Sequence, residues 1–297
     1  MYLKPEVAMG VNAVLGEGPV WDENQNLLYW IDSIGDKVFV YDPKTGKNKE
    51  YYIGQHVGFI ILREKAGGVL GLENGLCFFD LDTGKIDKIC DPEEGKRNRV
   101  NDGKADANGR IWAGYLPAED DGAIGDRPPQ CGLYMMDENL NIQLKINEVY
   151  ISNGLTWAPD NKTFYYIDSI VGTVVAYDFD LKTGDIRNKR IVVRIPDDLL
   201  FADGMDIDVD GNLWIAHWEG WAVTKWDPYS SKMLEKIDMP VKKVTSCGFG
   251  GEDLDELFIT TASIGMSEKD WEEQPNAGAL FKIKPGVQGR TKYRFKG

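Results

Sequence analysis

Cysteine and histidine are scarce in this chain of 297 residues, which has four Cys and two His. Cys77, Cys90, Cys131 and Cys247 form no CxxC pair and have no histidine close by in sequence. That excludes a disulfide framework and a Cys/His zinc site, and fits reduced thiols in a cytoplasmic protein. Positive charge is also short: 34 Lys and Arg against 48 Asp and Glu give a formal net charge of −14. The densest basic stretch, Lys96-Arg97-Asn98-Arg99, is brief and follows Glu93-Glu94, which argues against a nucleic-acid partner. No apolar run approaches the roughly 18 residues of a membrane span. The start, Met1-Tyr2-Leu3-Lys4-Pro5, lacks the charged and apolar regions of a secretory signal. No segment keeps a helical period, and no G-x-S-x-G nucleophile elbow is present.

What the chain does have is glycine, aromatics and turns. Gly numbers 33 and aromatics make up 11% within a 42% hydrophobic composition, a balance that favours short strands joined by tight turns. The segment Leu27-Leu28-Tyr29-Trp30-Ile31-Asp32 returns as Thr163-Phe164-Tyr165-Tyr166-Ile167-Asp168. Related strands are Arg110–Ala113, Asn212–Ile215 and Glu256–Ile259, with Gly68–Leu72 a weaker copy. Polar turns precede them, such as Asp106-Ala107-Asn108-Gly109 and Asp208-Val209-Asp210-Gly211, and turns such as Thr45-Gly46 and Thr183-Gly184 follow the next strand. Six residues followed by glycine open the units: Glu17, Val57, Asp102, Asn153, Asp203 and Cys247, at intervals of 40 to 51 residues. Six units of that length predict an all-β, six-bladed propeller of four-stranded antiparallel blades, forming one domain over residues 1–297. The N-terminal stretch Tyr2–Val7 is expected to complete the last blade beside Ala279–Ile283.

In a propeller the first strand of each blade runs along the central channel, so equivalent repeat positions surround the axis at one depth. Four of the six opening residues carry side-chain oxygens: Glu17, Asp102, Asn153 and Asp203. Either they satisfy strand ends and turns, or they converge. Converging carboxylates repel unless protonated or neutralised, and a hard cation neutralises them with oxygen ligands alone. Glu17, Asn153 and Asp203 are the candidate ligand set. Cys247 reads as a small channel-lining residue, and His217, at the end of an inner segment, as structural.

With those residues in hand, the chain resembles the SMP-30/gluconolactonase/LRE (regucalcin-like) family. The match runs through Leu15-Gly16-Glu17-Gly18-Pro19-Val20-Trp21, Arg99-Val100-Asn101-Asp102-Gly103-Lys104 and Gly109–Gly114. It continues through Ile151-Ser152-Asn153-Gly154-Leu155-Thr156-Trp157 and Ala202-Asp203-Gly204-Met205, in the family's order. The resemblance implies a propeller with one divalent cation in the channel (Ca, Zn, Mg, Mn or Fe) held by Glu17, Asn153 and Asp203. It implies that Arg99 and Asn101 grip substrate oxygens, with Glu119 near the substrate. Residues 120–129, polar and rich in Gly and Pro, are either a specificity lid or an ordinary surface loop.

The implied activity is metal-dependent opening of a sugar lactone, such as gluconolactone or a pentonolactone. The cation polarises the carbonyl and Asp203 activates water. Asp102 is the second candidate base or else a buried structural carboxylate. The competing readings are a non-enzymatic calcium-binding protein of the regucalcin type and a hydrolase of another ester. The expected partner is a small-molecule lactone.

Overall fold

The computed structural model describes residues 4–118 and 128–297. It contains six four-stranded sheets, each antiparallel and, in five of the six, ordered as the chain runs. The blades open with the strands Gly16–Asp22, Val57–Leu62, Asn98–Ala105, Ser152–Trp157, Phe201–Ile207 and Val244–Gly250. These first strands pack against one another around the axis. The last strands, such as Lys47–Tyr52 and Lys232–Asp238, are largely exposed. The propeller expected from the repeat is therefore the observed fold.

The repeated turn chemistry explains the hairpins. Asp42 Oδ1 accepts from Lys44 N at 2.9 Å, Asp80 Oδ1 from Thr83 N at 2.8 Å and Asp180 Oδ1 from Lys182 N at 2.8 Å. The glycines that follow, Gly46, Gly84 and Gly184, take φ of 66°, 73° and 72°, the left-handed region where only glycine is free of strain. A second aspartate set buries itself under the blades. Asp106 accepts from Arg110 Nε at 2.7 Å and from Trp112 Nε1 at 3.0 Å, and Asp208 accepts from Trp214 Nε1 at 3.1 Å. Each thereby satisfies the indole of a tryptophan that is fully buried.

Two chain ends close the ring. Glu6–Met9 adds the outer strand to blade 6, with Glu6 opposite Lys282 and Val7 opposite Phe281. The blade is closed from the N-terminal side as expected, but by a strand that starts later than Tyr2–Val7, of which Tyr2 and Leu3 lie outside the described residues. The C-terminal residues form a strap across the opposite face. Gly289 N donates to Leu254 O at 2.8 Å, Arg290 reaches Trp157 O at 3.3 Å, and Lys296 N donates to Gly109 O at 3.1 Å. Phe295, fully buried, bonds Leu62 O through its N–H at 2.9 Å. The strap was not anticipated: its residues carry no repeat signal.

All four cysteines are free. No helix among the described residues is long and apolar enough to cross a membrane.

Candidate active site

Every inner strand breaks register with its neighbour near its start. The shifts fall between Glu17 and Val20, Val57 and Phe59, Val100 and Gly103, Asn153 and Leu155, Ala202 and Met205, and Val244 and Ser246. A bulge turns a side chain that would lie between blades toward the axis. In blades 1 to 5 the bulge coincides with the residue-Gly pair seen in the sequence.

Blade 6 corrects that reading. Its bulge is at Thr245, so Cys247 lies two residues beyond the ring. Cys247 is packed in the core with Trp214 and Phe249, and its Sγ lies 3.4 Å from Trp214 O. Gly248 recurs there for another reason: a Cβ would come within 2.5 Å of Pro19 O on blade 1. Val57 is fully buried in the core and offers no polar group. His217 is buried too, 2.6 Å from Thr224 Oγ1, and burial depresses its pKa to about 3.

The clamp that sets the mouth comes from the repeat itself. Asp32 accepts from Val14 N and Leu15 N, each at 2.9 Å. Asp168, its counterpart on blade 4, accepts from Tyr150 N at 2.9 Å and Ile151 N at 3.1 Å. Each carboxylate fixes the loop that delivers a ring residue, Glu17 in one case and Asn153 in the other.

A cavity of about 360 Å³ results. Glu17, Arg99, Asn101, Asn153, Ser169 and Asp203 line it, with an apolar wall that includes Leu15, Ile34, Leu116, Ile151, Phe201 and Trp218. Glu17, Asn153 and Asp203, from blades 1, 4 and 5, are thus brought together with Arg99 and Asn101 from blade 3. Glu119 and residues 120–127 of the expected lid lie outside the described residues. Ser169 and the apolar wall were missed in the sequence. Ser169 carries a signal all the same: Ile-Asp-Ser occurs at both Ile31-Asp32-Ser33 and Ile167-Asp168-Ser169.

Charge in this cavity is strained. Burial pushes the Glu17 carboxyl well above the usual range, and the Asp203 and Asp102 carboxylates push it further, against the Gly18 N–H and the Arg99 guanidinium. Asp203 is likewise raised well above the ordinary value, by burial and then by Asp102, with the Asn153 side chain and the Gly204 N–H opposing. Asp102 is raised by burial, while Lys104 pulls it down. Asp102 does not line the cavity wall, but it belongs to the same cluster of acids.

The donor set fits a hard cation. Two carboxylates and a carboxamide offer oxygen ligands, and Asp203 Oδ1 is buried with no hydrogen-bond partner among the described residues. A buried carboxylate oxygen without a donor is costly, and a cation supplies the missing charge. Among the described residues no three His, Cys, Asp or Glu side chains form a ligand group on their own. The carboxamide of Asn153 adds a third oxygen donor to the Glu17 and Asp203 carboxylates in this cavity.

The comparison with known proteins decides the family. The model of the SMP-30/gluconolactonase/LRE-like region matches residues 15–263. The chain belongs to the SMP-30/gluconolactonase/LRE-like family. Within that family's range of sequences, the chain is 37% identical to regucalcin of Bos taurus over 297 residues, covering 99% of each chain. It is 38% identical to regucalcin of Gallus gallus over 285 residues, covering 95% of each. Among solved structures, a luciferin-regenerating enzyme superposes with a TM-score of 0.90 at 31% identity, covering 99% of this chain and 100% of that one.

Proposed function

We propose that this protein is a metal-dependent hydrolase that opens a sugar lactone of the aldonolactone type. The observation that carries the reading is Asp203 Oδ1, buried and without a hydrogen-bond partner among the described residues, in a cavity it shares with Glu17 and Asn153. Glu17, Asn153 and Asp203 would hold one divalent cation, of the group Ca, Zn, Mg, Mn and Fe. When bound, that ion supplies positive charge to polarise the lactone carbonyl.

The chain's own residues supply the rest. Asp203 takes a proton from the attacking water as its oxygen bonds to the carbonyl carbon. The ring C–O bond then breaks, the proton passes to the leaving oxygen, and the product is an open-chain hydroxy acid. Arg99 offers a rigid fork of donors to the substrate's oxygens. Asn101 is held by its own Nδ2, which donates to Ser152 O at 2.8 Å, so its Oδ1 is left to accept from a substrate hydroxyl. The apolar wall excludes bulk water and strengthens each polar interaction inside.

A second reading, an ester or lactone with an apolar flank, is favoured by that wall and by the 31% identity to a luciferin-regenerating enzyme. A pH-stat panel of aldonolactones, alkyl lactones and aryl esters, run with each cation, separates the two. Full turnover by metal-stripped protein would refute both. Cation binding with no hydrolysis of any panel member would leave a calcium-binding protein of the regucalcin type.

A further inference from the structure

We propose that Ser169 is a positioning residue that selects which end of the Asn153 carboxamide faces the cavity. The inference rests on the cation reading above and adds a residue that the ligand set does not contain. Ser169 opens the short 3₁₀ turn Ser169–Val171 at the mouth of the channel and is almost fully buried. Its backbone N–H donates to Ile151 O at 3.1 Å, so the residue is anchored to the loop that leads into Asn153.

Counting protons on the Ser169 hydroxyl identifies the Asn153 atom that meets it. A serine hydroxyl has one hydrogen and can accept from a second group. Ser169 Oγ spends its hydrogen on Ala202 O at 2.7 Å. The Asn153 side-chain atom 3.0 Å away must therefore be the donor, the amide Nδ2. The amide nitrogen cannot ligate a hard cation, and the carbonyl oxygen can. The amide nitrogen has two hydrogens: one goes to Ser169 Oγ, and the other is the hydrogen that the Asn153 side chain offers the Asp203 carboxylate. Ser169 is the uncharged member of this pair of acceptors, and by holding Nδ2 it keeps Oδ1 free for the ion when Asp203 turns to the cation. Both bonds are buried, so water does not readily replace them. Since Ala202 precedes Asp203, the same hydroxyl ties the ligand of blade 4 to the strand that carries the ligand of blade 5.

Blade 1 offers the contrast. Ser33 occupies the same place after Asp32, yet it makes no hydrogen bond to Glu17 among the described residues. A carboxylate has two equivalent oxygens and needs no such selection. Asn153 has unlike ends, and an outward-facing amide would present two N–H donors where an acceptor is required.

The test is cation affinity, measured by titrating Mn²⁺ or Ca²⁺ into metal-free protein in a calorimeter. Ser169→Ala should weaken binding by roughly 10–100-fold, the range for groups that orient metal ligands. Ser169→Thr, which keeps the hydroxyl, should recover most of it. The decisive arm is Asn153→Asp, whose side chain has two equivalent oxygens. In that background Ser169→Ala should change affinity by less than about threefold. Thermal melts of the metal-free variants check that each is folded. The inference is overturned if Ser169→Ala binds as the parent does, or if it loses affinity equally in the Asn153→Asp background, as a merely structural residue would. An Asn153→Ala protein that binds the cation as tightly as the parent would instead overturn the cation reading itself.

Discussion

Asp203 and Asp206 lie three residues apart on one inner strand, Phe201–Ile207, and meet opposite fates. Asp203 faces the upper mouth of the channel, where burial and Asp102 push its carboxyl well above the ordinary range and one oxygen has no donor among the described residues. Asp206 faces the lower end, a cavity of about 60 Å³ closed by Arg290, Lys292 and Tyr293 of the C-terminal strap. There it pairs with Lys292, accepts from Phe249 N at 2.8 Å and has Lys104 Nζ 3.9 Å away. Burial opposes the ionised form, but the two lysines outweigh it and hold the Asp206 carboxyl below its usual value. The two residues are of the same type on the same strand. The difference teaches that what a buried acid does is set by whether the fold brings cations to it. The lower acid is completed by the protein and holds the fold together. The upper group is left incomplete and can take its counter-charge from outside.

Changes at the upper end should cost activity, and changes at the lower end should cost stability. The largest effect expected is on turnover. Asp203→Ala should lower cation-dependent hydrolysis by on the order of 10³-fold or more, measured as kcat/KM on the best lactone of the panel, with Glu17→Gln also severely impaired. Retention of a tenth of parent activity by the Asp203 variant would show that Asp203 is not the base.

The next effect belongs to the lower end. Asp206→Ala leaves the half-buried Lys292 and Lys104 near each other without their carboxylate, and should cost about 2–3 kcal/mol in denaturant unfolding, less than the loss of a partner from a fully buried pair. Specific activity per folded molecule should be little changed. An unfolding midpoint equal to that of the parent would show the ion cluster to be incidental.

A smaller effect is expected from the edge of the ring. Deleting residues 1–8 removes most of the strand that pairs with Leu280–Ile283 and exposes that edge. The melting temperature should fall by several degrees, at roughly 2–4 °C per kcal/mol for a domain of this size class. An unchanged melt would rule out N-terminal closure as a stabilising feature.

The smallest effect is a pH trend. Glu17 and Asp203 have raised pKa values in the fold, so their protonated forms favour the metal-free folded state. That contribution is complete below the ordinary carboxylate range and is lost as pH rises through the raised values. Added Mn²⁺ should therefore raise the melting temperature more at pH 8 than at pH 5, because protons compete with the ion at the lower pH. A gain independent of pH would place the ion away from these carboxylates.

The repeat was readable because a propeller uses each blade's turns in the same way. Asp-x-x-Thr-Gly turns recur at Asp42, Asp80 and Asp180 because the same hairpin needs the same side-chain acceptor and the same left-handed glycine. The gathering of Glu17, Asn153 and Asp203 in one cavity was readable for a related reason: equivalent bulges aim equivalent residues at one axis. The scheme failed at blade 6, where Cys247-Gly248 imitates the pattern but the bulge sits at Thr245. A residue before glycine records only that glycine is needed, and at Gly248 the need is room for Pro19 O rather than a turn toward the channel.

The sequence alone determined the number of blades and their strand order, because local turn chemistry and a regular period write these into the chain. Only the tertiary structure decided how the acidic residues of the inner strands are charged, which of them is completed by a partner, and that the last nine residues seal one end of the channel. Those outcomes depend on contacts between segments apart in the chain, such as Lys292 with Asp206 and Ser169 of blade 4 with Ala202 of blade 5. A pattern of neighbours in sequence cannot encode a distance between blades.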